Sequence, residues 1–485
     1  MHRPVPPVSQ GLAGAASRGA LWLGLVNLLS KGSQVFVTLA LGLFLTAAEL
    51  GSVTVTVALV NLALVVQSAG VYDVIARTSE EPRRFAGTVV TISVGLGALI
   101  AVLAAVLAPQ LAELAGARTA TDLLRVAVLS LPFTALAGVQ MAYLHRQLDF
   151  RRRLVPDAGS ALAGAAVTVV GAAAGLGEWS LVAGLVTTAV LAPLLGTAVG
   201  IRLRPRWSAA HARTVGRWAA VTGPGAVLGL VLLNLDYVVV TRVLGEAATG
   251  VYSFAFRIAF VPYVMGAVVL GGVAFPLYAR LMASGGERAM APAVVRFVHV
   301  LAATTGGAYL ALALLADRIV VIDPRWAGSA PVLRVLTVYG VLLGLVLMGH
   351  EALRASGRPG SYLRAQVVHV VVLLVAAVTL VRFGIVGMAW AQVGAVAVAA
   401  VVVVVMLARA GVLGSGLGRA LLPPLGAAAL VAVGHQAAGR AGLLPPADSL
   451  VGGAVVGVLV LLAYVGALVV VDRPLVRDLR AAVAR

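Results

Sequence analysis

Residues 450–471 read LVGGAVVGVLVLLAYVGALVVV, a run without one acidic or basic side chain. Wound as an α-helix it rises about 33 Å, enough to cross a hydrocarbon core of roughly 30 Å. It has no polar face to turn toward water, so its solvent is lipid. Comparable runs recur at 20–45, 52–72, 87–108, 123–144, 156–175, 179–201, 222–244, 252–276, 297–316, 330–350, 366–382, 384–407 and 420–438. Together they predict about fourteen transmembrane helices. The run at 20–45 is too long for the apolar centre of a signal peptide. Arg382–Gly384 must make a tight turn, and Pro423 and Pro424 are expected to interrupt the thirteenth span.

Composition agrees. Of 485 residues, 61% are hydrophobic and 11% charged, against roughly 25% charged in soluble domains. Mean hydropathy is +1.03. The fold class is therefore an all-α polytopic membrane protein. A β-barrel would alternate polar and apolar residues and would lack these runs. The apolar content excludes a disordered chain, and the absence of cysteine excludes a disulfide scaffold.

A net charge of +18 could suit nucleic acid. Its distribution points elsewhere. With the N-terminus placed in the cytoplasm, segments such as 146–153, 202–217 and 473–485 gather 26 of the 36 basic residues, whereas outer segments hold 7. The positive-inside rule gives this asymmetry when both termini are cytoplasmic. The partner is then the lipid bilayer, and no nucleic acid partner is expected.

A weak repeat sets the domain plan. Leu45-Thr46-Ala47-Ala48-Glu49-Leu50-Gly51 follows the first run, and Leu244-Gly245-Glu246-Ala247-Ala248-Thr249-Gly250 the seventh. Aligning them aligns Gly51 with Gly250. Six helices per unit is even, so the two copies are parallel. The expected division is a cytoplasmic segment 1–19, six-helix lobes 20–217 and 218–410, two extra helices within 411–471, and a cytoplasmic tail 472–485.

Further stretches carry a family likeness. Leu144-His145-Arg146-Gln147-Leu148-Asp149-Phe150-Arg151 follows the fourth span, and Asn234-Leu235-Asp236-Tyr237 lies in the seventh. Gly250-Val251-Tyr252-Ser253, Phe275-Pro276, Arg325-Trp326-Ala327, Ala330-Pro331-Val332-Leu333-Arg334 and Leu353-Arg354-Ala355-Ser356-Gly357-Arg358-Pro359 follow in order. In this the chain resembles the bacterial polysaccharide-repeat (Wzx-type) flippases of the multidrug/oligosaccharidyl-lipid/polysaccharide exporter superfamily. The resemblance implies two six-helix lobes around a central cavity in the cytoplasmic membrane. It implies a polyprenyl-pyrophosphate-linked glycan as substrate, moved from the inner to the outer leaflet by alternating access for cell-surface polysaccharide biosynthesis. A polysaccharide polymerase and glycosyltransferases are the implied partners.

Charges embedded in apolar helices are costly and mark candidate sites. Lys31, the sole lysine, shares a helical face with Asn27, Ser30 and Gln34, which suits a cation awaiting a pyrophosphate. A structural ion pair or a snorkelling side chain are the plainer readings. Asp236 and Arg257 flank the outer turn near Glu246, so a hairpin brings them to similar depth as an ion pair. Alternatively Arg257 joins the cationic substrate site while Asp236 couples transport to a proton or sodium gradient. In relatives a sodium site lies among the seventh, eleventh and twelfth helices. Here the eleventh offers Gln366, His369 and Thr379 and the twelfth Gln392, without an internal acid. Asn61, Gln67, Asn234 and Gln140 could line a cavity or bond across helices. Arg334 reads as a snorkelling residue beside the interface anchor Trp326. The basic run Arg151-Arg152-Arg153 could meet lipid phosphates, or simply set topology.

No catalytic set, metal-ligand spacing or P-loop appears in the sequence, so neither cofactor nor bond chemistry is expected. A lipid II flippase and an ion-coupled drug or metabolite antiporter of the same superfamily are the alternatives. A membrane glycan polymerase or acyltransferase fits less well, because the outer loops are short.

Overall fold

The computed structural model describes residues 37–38, 40–68, 75, 82–147, 149–413, 416–446 and 449–472, all helical or connecting, with no strand among them. The helices are named α1 (Ala47–Ser68), α2 (Pro82–Val106), α3 (Leu131–Arg146), α4 (Phe150–Ala173), α5 (Trp179–Ala198), α6 (Ala209–Leu244), α7 (Glu246–Ala259), α8 (Val269–Leu314), α9 (Ser329–Ala355), α10 (Pro359–Leu380), α11 (Gly384–Arg409), α12 (Leu417–Arg440) and α13 (Leu450–Val471). Eleven stretches among the described residues are long and apolar enough to cross a membrane. Two of them, Tyr263–Leu314 and Gly360–Arg409, are 52 and 50 residues long, about twice what one crossing needs. Gly286 breaks the first and Gly384, at φ 81°, turns the second. Most of the run expected at 20–45 lies outside the described residues.

The chain forms two compact units. Unit 1 comprises residues 1–45 and 52–234, and unit 2 residues 46–51 and 235–485. The lobe border expected at 217/218 falls inside the single helix α6, and the units part further along, after Asn234. A helix is continuous in hydrogen bonding, so its packing partners, not a break in the chain, decide the division.

Unit 1 closes on an apolar cluster of Val53, Val60, Leu123, Leu124, Leu131 and Val182. Its buried polar residues tie helices together. Gln67 is fully buried and donates to the Leu131 carbonyl (3.2 Å). Gln140 reaches the Pro193 carbonyl, Thr197 Oγ1 and the Ile201 carbonyl at 3.2–3.4 Å. A neighbouring helix thus answers the Gln67 amide nitrogen, while its Oε1 has no hydrogen-bond partner among the described residues. α4 and α5 approach so closely that a Cβ on Gly164 would meet Thr188 Oγ1 at 1.8 Å, and one on Gly184 would meet Thr168 Oγ1 at 1.9 Å.

Unit 2 contains the first turn of α1. Thr46 and Glu49 form a capping box there: the Glu49 carboxylate accepts from the Thr46 N–H (2.8 Å) and Thr46 Oγ1 from the Glu49 N–H (3.3 Å). This turn packs on the start of α7 reciprocally. A Cβ on Gly51 would lie 1.8 Å from the Glu246 carbonyl oxygen, and one on Gly250 would lie 1.8 Å from that of Ala47. The repeat alignment pairs Gly51 with Gly250 and Ala47 with Glu246, so the two copies meet through equivalent atoms.

Two expectations are corrected here. Trp326 is no interface anchor: it is fully buried, stacked on Phe254 with ring centroids 4.5 Å apart. Pro423 and Pro424 do not interrupt α12, which runs unbroken from Leu417 to Arg440. Pro424 lacks the N–H that would bond the Ala420 carbonyl, and that carbonyl is taken by Nδ1 of His299 on α8. Nε2 of the same imidazole pairs with buried Asp472 (2.6 Å), just past α13. One ring therefore ties both C-terminal helices to α8, beside an apolar cluster of Leu315, Val431, Val456, Val460 and Tyr464.

Candidate functional site

The site grows from one residue. Asp236 sits in α6, in a segment apolar enough to span lipid, and is completely buried in unit 2. A carboxylate there needs donors or a proton. Tyr252 of α7 supplies one donor, its hydroxyl 2.9 Å from Oδ2. The turn at Gly245 brings the two near: Asp236 precedes it by about two and a half helical turns and Tyr252 follows it by about two. The fully buried Gln392 amide of α11 faces the same carboxylate. Oδ1 of Asp236 and both polar atoms of Gln392 have no hydrogen-bond partner among the described residues. Tyr237, Tyr252, Phe256 and Tyr339 surround the group, with ring centroids 5.6–6.1 Å apart along the Tyr237–Phe256, Phe256–Tyr339, Tyr237–Tyr252 and Tyr252–Phe256 pairs.

The expected ion pair between Asp236 and Arg257 is not formed. The carboxylate is bonded to Tyr252, and Arg257 lies in electrostatic reach of the Tyr237 hydroxyl instead. The hairpin arithmetic was sound for depth but blind to rotation about the helix axis. Reflected about the true turn at Gly245, Asp236 falls level with Phe254, and Tyr252, already part of a quoted motif, is the hydroxyl that packing brings to it.

The other candidates separate. Asn61 Nδ2 donates to Asn234 Oδ1 (3.3 Å), while Asn234 Nδ2 donates to the Leu230 carbonyl (3.0 Å), all within unit 1. Gln366 donates to the Tyr362 hydroxyl (2.6 Å). Arg334 pairs with Asp317, a partner not foreseen, and remains partly exposed. Lys31, Asn27 and Gln34 lie outside the described residues. Among the described residues no group of three His, Cys, Asp or Glu side chains could hold a metal ion.

Comparison with known proteins places the chain. A family model described as "Polysaccharide biosynthesis protein" matches residues 40–331, more than half the sequence. The chain belongs to that family. It is 29% identical over 307 residues to the succinoglycan biosynthesis transport protein ExoT of Rhizobium meliloti (strain 1021), covering 62% of each chain. It is 24% identical over 339 residues to the lipopolysaccharide biosynthesis protein WzxC of Escherichia coli (strain K12), covering 67% of this chain and 66% of that one. The matches thus span somewhat under two thirds of these relatives' length. In fold it is similar to the lipid II flippase MurJ in its inward closed conformation, with TM-score 0.74 and 12% identity over 94% of this chain and 99% of that one. A multidrug resistance MATE family transporter in an inward-facing conformation gives TM-score 0.64 and 16% identity over 80% and 98%. The polysaccharide-flippase resemblance read from the sequence and the all-α membrane class are borne out by these matches.

Proposed function

We propose that this protein is a flippase that moves a polyprenyl-pyrophosphate-linked oligosaccharide from the inner to the outer leaflet of a bacterial cytoplasmic membrane. It works by alternating access, makes and breaks no bonds, and serves cell-surface polysaccharide biosynthesis beside a polymerase and glycosyltransferases. The family match over residues 40–331 carries this reading. Arg257 and Lys31 each supply a cation for the pyrophosphate, and Asn27, Gln34, Asn61 and Asn234 are neutral hydrogen-bonding groups for the same headgroup. Asp236 is the coupling group: a carboxylate buried in lipid-spanning helices is expensive when charged and unpaired, so proton or cation occupancy can bias a two-state carrier.

The test reconstitutes purified protein in vesicles with a polyprenyl-pyrophosphate disaccharide and imposes proton or sodium gradients separately. Gradient-driven flipping that is lost in Asp236→Asn supports the reading. Flipping that ignores both gradients removes the coupling role. Likeness to MurJ over 94% of the chain favours lipid II as a second substrate reading; faster flipping of lipid II than of the disaccharide carrier would establish it.

A further inference from the structure

Between α5 and α6 the chain runs through residues 201–208 without helix or strand, and α6 then carries it to the membrane-spanning stretch that starts at Gly223. This connection holds Arg202, Arg204, Arg206, Arg213 and Arg217, with Trp207 among them. All six side chains are exposed, Trp207 to 68%. No Asp or Glu occurs between Glu178 and Asp236. Among the described residues none of the five guanidinium groups has an ion-pair partner. Like charges four residues apart on a helix, as Arg213 and Arg217 are, repel. An anion set between them removes that cost.

The connection is held in place by its backbone. Ile201 is buried with Tyr143 and Leu144, and Leu203 packs on the same cluster, which leaves the alternating Arg202 and Arg204 on the outer side. The Arg206 N–H donates to the Gly87 carbonyl (3.1 Å), and the Arg206 carbonyl accepts from Thr91 Oγ1 (2.9 Å). Gly87 permits this approach: a Cβ there would meet the Arg204 carbonyl oxygen at 2.9 Å. Val215 and Trp218 of α6 join Phe85 and Val89 of α2 in one apolar cluster, and the His211 ring lies 5.0 Å from that of Phe85.

These contacts fix the depth. The lipid-spanning part of α2 is Phe85–Val106, so Gly87 and Thr91 lie within its first two turns. The arginines and Trp207 therefore stand at the edge of the hydrocarbon, at the level of lipid headgroups. Trp favours that zone. Topology asks only that arginines gather on one side of the membrane. It does not ask for a backbone strapped across the start of a span with every acid left out.

We propose that residues 202–217 form a docking surface for anionic phospholipids of the leaflet they face, which the arginine distribution makes the inner one. The guanidinium groups take the phosphates, each able to offer two parallel N–H donors to one phosphate. The indole of Trp207 sits between headgroups, its apolar ring toward the acyl chains. A zwitterionic headgroup carries its own ammonium against its phosphate, so the surface selects by net charge. A soluble polyanion fits worse, because the surface lies at hydrocarbon level. This docking is independent of the cargo carried.

Native mass spectrometry of the purified full chain tests it, with phosphatidylglycerol and phosphatidylcholine of identical acyl chains as probes. The parent should retain phosphatidylglycerol about tenfold or more the stronger. Arg204→Gln, Arg206→Gln, Arg213→Gln and Arg217→Gln together should lower that preference to under about twofold. The milder pair Arg204→Gln and Arg206→Gln, outside any helix, should lower it by at least about threefold, and decides the matter where the quadruple variant melts early in detergent. Arg280, Arg288, Arg409 and Arg419 are exposed arginines of unit 2. Changed together to Gln they remove as much charge and should leave the preference in place. Equal loss in that control shows a general charge effect and overturns the proposal. A parent that holds both lipids alike overturns it, as does a strap variant with parental melting that still prefers phosphatidylglycerol as strongly. A polyprenyl-pyrophosphate disaccharide that binds the parent but not the strap variants, with the phosphatidylglycerol preference unchanged, assigns the surface to that carrier instead.

Discussion

Tyr252 shows what one hydroxyl does in this protein. It is fully buried, and its hydroxyl donates to a carboxylate that receives no ion pair among the described residues. Tyr252→Phe removes that donor while keeping the ring. Hydrogen bonds to charged groups contribute about 1.5–3 kcal/mol, so thermal unfolding in detergent should shift down by that amount at pH values where Asp236 is ionised. Tyr464→Phe is the matched comparison, since that hydroxyl only reaches the Ala302 carbonyl at 3.4 Å; its loss should cost under about 1 kcal/mol. Equal shifts for the two variants would show that the Asp236 bond contributes nothing special. The sequence already flagged Asp236 and Arg257 as costly charges. It left their relation open between an ion pair and separate roles, because spacing along the chain fixes depth in a hairpin, while rotation about each axis is set by packing.

Helix pairs here are held by close approach, not by hydrophobic collapse, because lipid is as apolar as the side chains. The α4–α5 crossing depends on Gly164 and Gly184, each facing a threonine of the other helix. Gly184→Leu should force the pair apart and cost about 1–3 kcal/mol or more in detergent melting. Gly434→Leu on α12 has open space around the new side chain and should be neutral or better. A Gly184 variant as stable as the parent would mean that the crossing is not needed. The same scale explains α12: its prolines read as breakers until the freed Ala420 carbonyl is seen beside His299. That partner lies 121 residues away in sequence, so no local pattern could announce it.

For the whole molecule, the arginine distribution makes a prediction that the fold alone does not. Both termini should face the cytoplasm. A reporter active only inside should work when fused at either end, and one active only outside should work when inserted near Gly177 or Arg440. Opposite results for the two ends would require an odd number of crossings. The reciprocal contact of Gly51 and Gly250 gives the weak internal repeat a physical basis: at that point each copy needs a residue without a side chain against the other's carbonyl.

The solvent was written in the sequence, since lipid demands long uncharged helices. The family likeness was readable too, from short motifs kept in order. Which partner each buried polar residue meets was decided by tertiary structure. Gln67 and Asn61 look alike in sequence, yet Gln67 Nε2 donates to a backbone carbonyl while Asn61 pairs with another side chain. Asp236 has Tyr252 as its donor only because α6 and α7 pack together at one rotation about their axes, and packing, unlike spacing along the chain, sets that rotation.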